Sequence, residues 1–505
     1  MSAKKNMDQN ISDPKTLREA QQRKAEKRSN LMYGTIAVIF VLVAIVCIVW
    51  KSNVIPKTAT AATVNGEKYT AAEVNFYYKS TIQNFYNQNY YLISYLGLDL
   101  SGNLREQTYA EDKSWFDFFL EQAMNQMADI QALNDAAAKE GFTWNDELQA
   151  QLDESLESMK STASSYGYTT KQYLSMTFGS TMTEKIYTEQ MKRAILAEAY
   201  SQQYQDSLTY SESDLSSAYA EDPNSYDYVS YEFIRVNGAA SSTDDDGNEI
   251  EVTDAMRTEA MAAAKQLAND LYDSYKSGES LETLADSDDK AYYSSEEQGS
   301  WSDTVLMNWL FDSARKAGNA AVLEDEDSTC YYVAVFHERG REETNTINVR
   351  HILIQPETGE LSEGDEGYED EQTQLKADAK QKAEDLLAQW KAGDATEDSF
   401  AQLANENSSD GGSNTNGGLY EQVAPGDMVT EFNDWCFDAS RKSGDTGIVE
   451  TTYGYHVMYF VGTDLPYWQV QVRDALVEND YTAWYTEKTD GYTAEQSSFG
   501  VQFVG

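Results

Sequence analysis

FNDWCFDASRKSGDTGIVETTYGYHVMYF occupies residues 432–460, and MNWLFDSARKAGNAAVLEDEDSTCYYVAVF occupies residues 307–336. They are two copies of one pattern. Trp309-x-Phe311-Asp312-x-x-Arg315-Lys316-x-Gly318 returns as Trp435-x-Phe437-Asp438-x-x-Arg441-Lys442-x-Gly444. A repeat of this length reads as a duplicated domain. The copies differ in histidine: the later has Tyr455-His456-Val457 where the earlier has Tyr331-Tyr332-Val333. Of the three histidines in the chain, His351 and His456 belong to the later repeat and His337 is expected just past the last strand of the earlier one. That asymmetry reads as one working site and one retired site.

Working outward, the later repeat (344–465) opens on an apolar strand around Ile347–Ile354 and crosses an acidic excursion, Glu357–Glu371. A helix to about Lys391, another around Phe400–Asn405 and a Gly/Ser/Asn-rich loop at Ser408–Gly418 follow. A helix over Val429–Arg441 and strands near Gly447–Glu450 and Tyr455–Val461 complete it. The earlier repeat (223–343) has a strand at Tyr228–Val236, an acidic excursion at Ser241–Glu251 and a long helix from about Thr253 to Ser277. Offsets of 120 and 124 residues set Tyr231 against His351 and Tyr332 against His456. Upstream, Asn65-Gly66 between short apolar runs predicts a tight hairpin, and Thr70 with Glu73 predicts a capping box. Apolar residues at three- and four-residue steps (Trp115, Phe118, Phe119, Ala123, Met124, Met127) make 57–222 a helical module. Its Tyr- and Gln-crowded stretch, Tyr77–Tyr95, reads as core or as an apolar cradle for unfolded chains. Residues 466–505 read as a C-terminal helix and an unassigned tail.

Leu31–Trp50 is twenty residues without a charge, enough to span a bilayer as one helix. Basic residues crowd the segment before it (residues 1–30), so the N-terminus is expected in the cytoplasm and the bulk outside. A cleaved signal peptide or a lipid attachment at Cys47 fits the flanking residues less well. The formal net charge of −47 argues against a nucleic-acid partner, which needs clustered Lys and Arg. Three cysteines (Cys47, Cys330, Cys436) give no disulfide framework, although a Cys330–Cys436 bridge is open. Counted as a calcium loop from Asp244, the twelfth position is Ala255 and not Glu, so no metal is expected there. No Gly-rich phosphate loop is present, and no cofactor is expected.

Two histidines on neighbouring strands can share one hydrogen-bonded network, each ring setting the other's tautomer. Arg350-His351-Ile352-Leu353-Ile354, Phe400-Ala401-x-Leu403-Ala404, Ser409-Asp410, Gly417-Gly418-Leu419, Gly426-x-Met428, Phe432 and Tyr453-Gly454-Tyr455-His456 follow one another in the order of the parvulin peptidyl-prolyl isomerases, which this part of the chain resembles. Val64-Asn65-Gly66-Glu67 ahead of a helical region and two such repeats is similar to extracytoplasmic foldases of the SurA and PrsA type. The resemblance implies an α+β chain: an N-terminal transmembrane helix, a helical chaperone module, a degenerate parvulin-like domain and a parvulin domain, each parvulin unit a small antiparallel sheet with surrounding helices. It implies that His351, Asp410, His456 and Thr451 form the polar site and that Leu419, Met428 and Phe432 form a proline pocket. Where many members read Gly-Gly-Asp-Leu-Gly, this chain reads Gly417-Gly418-Leu419-Tyr420-Glu421, so Ser409 or Gly411 could stand in the place given to Asp410. No basic cluster flanks the pocket, which speaks against selectivity for phosphorylated peptides. The implied function is a membrane-anchored foldase that isomerises Xaa-Pro bonds in exported, unfolded polypeptides. The alternative is a binding-only chaperone in which both repeats are scaffolds. Oligomeric state is not written in the sequence.

Overall fold

The computed structural model describes residues 39–44, 54–244 and 246–505. The expected tail at 1–30 and most of the expected spanning helix at 31–50 lie outside these residues; 39–44 are helical. Among the described residues no helix is long and apolar enough to cross a membrane. The architecture is mixed α and β, with small antiparallel sheets, and the chain divides into two compact units, 1–208 with 479–505 and 209–478.

In the first unit, β1 (Thr60–Val64) and β2 (Glu67–Thr70) form the hairpin turned by Asn65 and Gly66, both at positive φ. Thr70 then caps the helix Ala71–Asn89 through a reciprocal box with Glu73. A two-stranded ribbon, β3 (Thr108–Ala110) and β4 (Lys113–Ser114), leads into the helix Trp115–Glu140. That helix buries Trp115, Phe119, Ala123, Met124 and Met127 on one stripe. Tyr77 and Tyr78 are core, whereas Tyr90, Tyr91 and Tyr95 are exposed. The helical module does not end near 222. The compact unit stops at Leu208, and the helix Glu212–Glu221 belongs to the second unit, where Leu215 is buried beside Trp468 and Val472. The tail is not a separate appendage either. Ala494–Gln496 pairs with β1 as a third strand, and Val504 is buried in the same core as Tyr77 and Phe119.

The second unit holds two four-stranded sheets. β5 (Asp227–Asn237), β6 (Ala291–Ser300), β7 (Ala320–Asp325) and β8 (Cys330–Arg341) lie in the order β6-β5-β8-β7. β9 (Asn345–Ile354), β10 (Leu419–Val423), β11 (Thr446–Thr451) and β12 (Gly454–Pro466) lie in the order β10-β9-β12-β11. The two orders are one topology shifted by four strands, and both sheets are antiparallel throughout. β10, which apolar patterning missed, is only five residues long. The helix expected over Val429–Arg441 ends at Cys436, after which Asp438 caps a tight turn at Ser440.

One face of the second sheet packs on the helices Tyr368–Ala392 and Glu397–Asn407 through Ile352, Ile354, Phe400 and Tyr455. The opposite face packs on the short helix Thr430–Cys436 through Val349, Phe432, Met458 and Phe460. Side chains alternate along a strand, so one residue of slip would exchange these two faces.

The register corrects the sequence alignment of the two repeats. His456 pairs with Leu353 and Met458 with His351, while Tyr332 pairs with Arg235 and Ala334 with Phe233. His456 therefore matches Tyr332, as counted, but His351 matches Phe233 rather than Tyr231. The helices and loops between the first and last strands differ in length between repeats, and β5 bulges at Ser230/Tyr231. A single linear offset cannot absorb both. Phe233 and Tyr332 stand as a T-shaped pair, centroids 5.6 Å apart, where the second repeat has two imidazoles.

Candidate active site

β9 and β12 are the central strands of their sheet, which puts His351 and His456 on the same face, inside a hydrogen-bonded ladder. Their Nδ1 atoms are 3.0 Å apart and their centroids 5.2 Å. His351 Nε2 lies 3.0 Å from Asp410 Oδ2, and His456 Nε2 lies 2.9 Å from Thr451 Oγ1. The four polar residues named from the sequence thus form one chain. Asp410, not Ser409 or Gly411, reaches the imidazole: Ser409 N–H is spent on Leu353 O, and Gly411 has no side chain.

Burial pushes the His351 imidazole below its usual range, against the pull of Asp410. Burial, then repulsion from His351, pushes His456 down to about 4. Burial opposes ionisation of Asp410, but donors from Ser413, Tyr420 and the Gly412 N–H, with His351, outweigh it and hold the carboxyl at about 2. At neutral pH both rings are therefore neutral and Asp410 is an anion, which fixes every proton. A carboxylate only accepts, so His351 Nε2–H donates to Asp410. His351 Nδ1 is then an acceptor, so His456 Nδ1–H donates to it. His456 Nε2 must accept, and Thr451 O–H supplies the proton while Thr451 Oγ1 takes Tyr453 N–H at 3.1 Å. One tautomer of each ring satisfies the whole chain.

The loop that carries Asp410 is pinned at several points. Ser408 Oγ accepts from Leu353 N–H and Asp410 N–H. Arg350 bridges Glu397 to the carbonyls of Asn416 and Gly417. Gly417 and Gly418 both sit at positive φ, and a Cβ on Gly418 would lie 2.1 Å from the carbonyl oxygen of His351. The Gly-Gly pair is therefore required by close backbone approach.

Beside the imidazoles lies an apolar wall. Phe432 presents its ring edge-on to both histidines at 5.4 Å, and Met428 packs in the same cluster. Leu419 does not join them. It stands opposite Arg350, so alternation turns it to the other face of the sheet, whereas Tyr420 stands opposite Val349 and shares the His351 face. The residue filling the place assigned to Leu419 is Tyr420, whose ring stacks on His351 at 5.2 Å and 23°. Ser413 was also not anticipated. It is fully buried, and its hydroxyl is 2.5 Å from Asp410 Oδ2 and 3.2 Å from His351 Nε2. A Ser three residues after Asp in a Gly-rich loop was the available signal. Among the described residues no group of three or more His, Cys, Asp or Glu could hold a metal ion, and Cys330 and Cys436 are free thiols.

The family description that matches the chain is the PPIC-type PPIASE domain, over residues 334–462. Among relatives, foldase protein PrsA 1 of Listeria innocua is 33% identical over 115 residues, covering 23% of this chain and 30% of that protein. Foldase protein PrsA of Halalkalibacterium halodurans is 29% identical over 136 residues, covering 27% and 31%. This chain thus spans less than a third of the length of these relatives. The crystal structure of PrsA from Bacillus subtilis aligns over 77% of this chain and 92% of its own, at 14% identity and a TM-score of 0.28. The segment that holds the imidazole pair thus lies within residues 334–462, which are similar to the PPIC-type PPIASE domain.

Proposed function

We propose that this protein is a peptidyl-prolyl cis–trans isomerase and foldase for exported polypeptides, with catalysis in the second repeat. The observation that carries this reading is the His351–His456 pair, closed at one end by Asp410 and at the other by Thr451, against the apolar wall of Phe432 and Met428. Rotation about an Xaa-Pro bond breaks no covalent bond but crosses a barrier of roughly 18–20 kcal/mol, because the planar amide is stabilised by resonance. The planar amide is also the more polar form, so a dry pocket favours the twisted one. In the twisted amide the nitrogen recovers its lone pair, and a preorganised donor binds it better than the ground state. His351, Asp410, His456 and Thr451 are the polar groups of this site, and Phe432, Met428 and Tyr420 are the walls that receive the pyrrolidine ring.

The first repeat, with Phe233 and Tyr332 in the imidazole positions, is a parvulin-like scaffold without catalysis. The helical unit, with its exposed Tyr90, Tyr91 and Tyr95, holds unfolded clients. The apolar stretch at 31–50 anchors the chain, with residues from about 52 onward outside the cytoplasmic membrane. A protease-coupled isomerisation assay on the chain from residue 52 tests the reading. Acceleration over the spontaneous rate, lost in His351→Ala and His456→Ala, is expected. A chain that suppresses client aggregation but leaves the isomerisation rate unchanged would make it a binding-only chaperone.

A further inference from the structure

Tyr420 is where this chain departs from the pattern it otherwise follows, and the departure places a phenol between the apolar wall and the polar chain. The strand β10 brings it there. Tyr420 is paired to Val349, and two residues later Gln422 takes φ of 54° in a bulge whose N–H is held by Asn348 Oδ1 at 2.7 Å. Bulges re-aim side chains and sharpen the local twist. The result is a ring stacked on His351 with its hydroxyl 2.8 Å from Asp410 Oδ2. The same oxygen receives Ser413 Oγ and His351 Nε2, so three donors from three directions converge on it.

We infer that Tyr420 is a positioning residue of the isomerase site, acting through Asp410: its hydroxyl holds the carboxylate in place and ionised beneath His351, and so sets the direction of the whole proton chain. This rests on the isomerase reading above. The groups that face Asp410 are His351 from β9, Tyr420 from β10, and Ser413 with the Gly412 N–H from its own loop; His456 on β12 stands behind His351. Burial, then the charge of Asp410, pushes the phenol of Tyr420 up, so it remains a donor across the working range. A protonated Asp410 could donate instead of accept. It would then release His351 from the Nε2–H form, and the chain to Thr451 would lose its single polarity.

The test is Tyr420→Phe, which keeps the stacked ring and removes one donor. Two readouts separate a positioning role from a packing one. The first is the titration of the Asp410 side-chain carboxyl by 13C NMR, whose midpoint is expected to rise by about one to two pH units on loss of a charge-assisted hydrogen bond. The second is steady-state isomerisation: kcat falls about tenfold with KM within about twofold, since the ring that touches substrate is retained. In an Asp410→Ala background, Tyr420→Phe is expected to change kcat less than twofold. An unmoved carboxyl midpoint, or the same loss of kcat with and without Asp410, overturns the inference. The carboxyl titration needs no turnover. If the wild-type chain fails to isomerise, the isomerase reading falls while the titration still decides whether Tyr420 holds Asp410.

Discussion

Replacing both imidazoles with the rings of the first repeat, His351→Phe together with His456→Tyr, separates the fold of the second repeat from its chemistry. The change removes the hydrogen bonds at 3.0 Å to Asp410, 3.0 Å between the rings and 2.9 Å to Thr451, and the longer one at 3.2 Å between His351 and Ser413. Each is worth about 1 kcal/mol net. No buried partner is left bare. Asp410 keeps Ser413, Tyr420 and the Gly412 N–H, and Thr451 keeps Tyr453 N–H. The new rings fit: Phe233 and Tyr332 stand 5.6 Å apart in the same register where the imidazoles stand 5.2 Å apart. An aromatic pair returns about 0.5–1.5 kcal/mol beyond the apolar area it buries. The net change in stability is therefore a loss of about 2–3 kcal/mol, a fall in Tm of several degrees. Catalysis has no such compensation, because a phenylalanine at 351 has no polar atom and breaks the chain between Asp410 and residue 456, where a phenol cannot replace the imidazole's two ring nitrogens. The rate enhancement is expected to fall by about a hundredfold or more. Thermal melts and a protease-coupled isomerisation assay on the same preparation read both quantities. A folded double variant keeping more than about a tenth of the wild-type kcat/KM would refute the reasoning.

Three further outcomes follow from the same contacts. Both site histidines have folded pKa values below the ordinary value of about 6.5, His456 at about 4, so the unfolded chain binds more protons between these limits. Their contribution to stability is complete above about pH 6.5 and is lost as pH falls toward about 4; the imidazole-free double variant is expected to show a flatter Tm against pH over that window, and parallel curves would contradict this. Gly418→Ala drives a Cβ into the His351 carbonyl at a φ of 68° and is expected to cost about 3 kcal/mol or more in urea unfolding, whereas Gly411→Ala, with nothing within 4 Å, is expected to be neutral. Deleting residues 494–505 removes the strand paired to β1, the buried Val504 and the two carbonyls that Arg105 holds; faster amide exchange in β1 and the helix Ala71–Asn89 is the expected result, and unchanged protection would count against it.

What could be read from the sequence was what local pattern encodes. The Asn65-Gly66 hairpin, the Thr70–Glu73 box and the stripe on Trp115–Glu140 are decided within a few residues and stand as expected. Much of the site was legible for the same reason. His351 and His456 each sit in a short, largely buried apolar run that reads as a strand, and the Asp410 loop is marked by the glycines that its close approach demands. The misses have physical causes. Leu419 and Tyr420 are adjacent, and only the pairing of β10 with β9 decides which faces the imidazoles. Tyr231 was set against His351 because neither the bulge at Ser230 nor the loop lengths can be counted from one chain. The tail carries no assignable local pattern because its partner strand lies more than 400 residues away, beyond any local periodicity. Ser413 was hidden because a serine in a Gly/Ser/Asn loop looks like solvent-facing turn chemistry until the loop folds over the sheet.

The central claim, that the imidazole pair turns over Xaa-Pro bonds, is tested most directly by exchange NMR on a proline peptide at equilibrium with a trace of the chain from residue 52. This measures cis–trans interconversion with no coupling protease. Spontaneous exchange takes tens of seconds. The account predicts exchange brought within the seconds range by the wild-type chain and returned to the spontaneous rate by His351→Phe/His456→Tyr. Peptide binding without any change in the exchange rate, or equal acceleration by the wild type and the double variant, would contradict it.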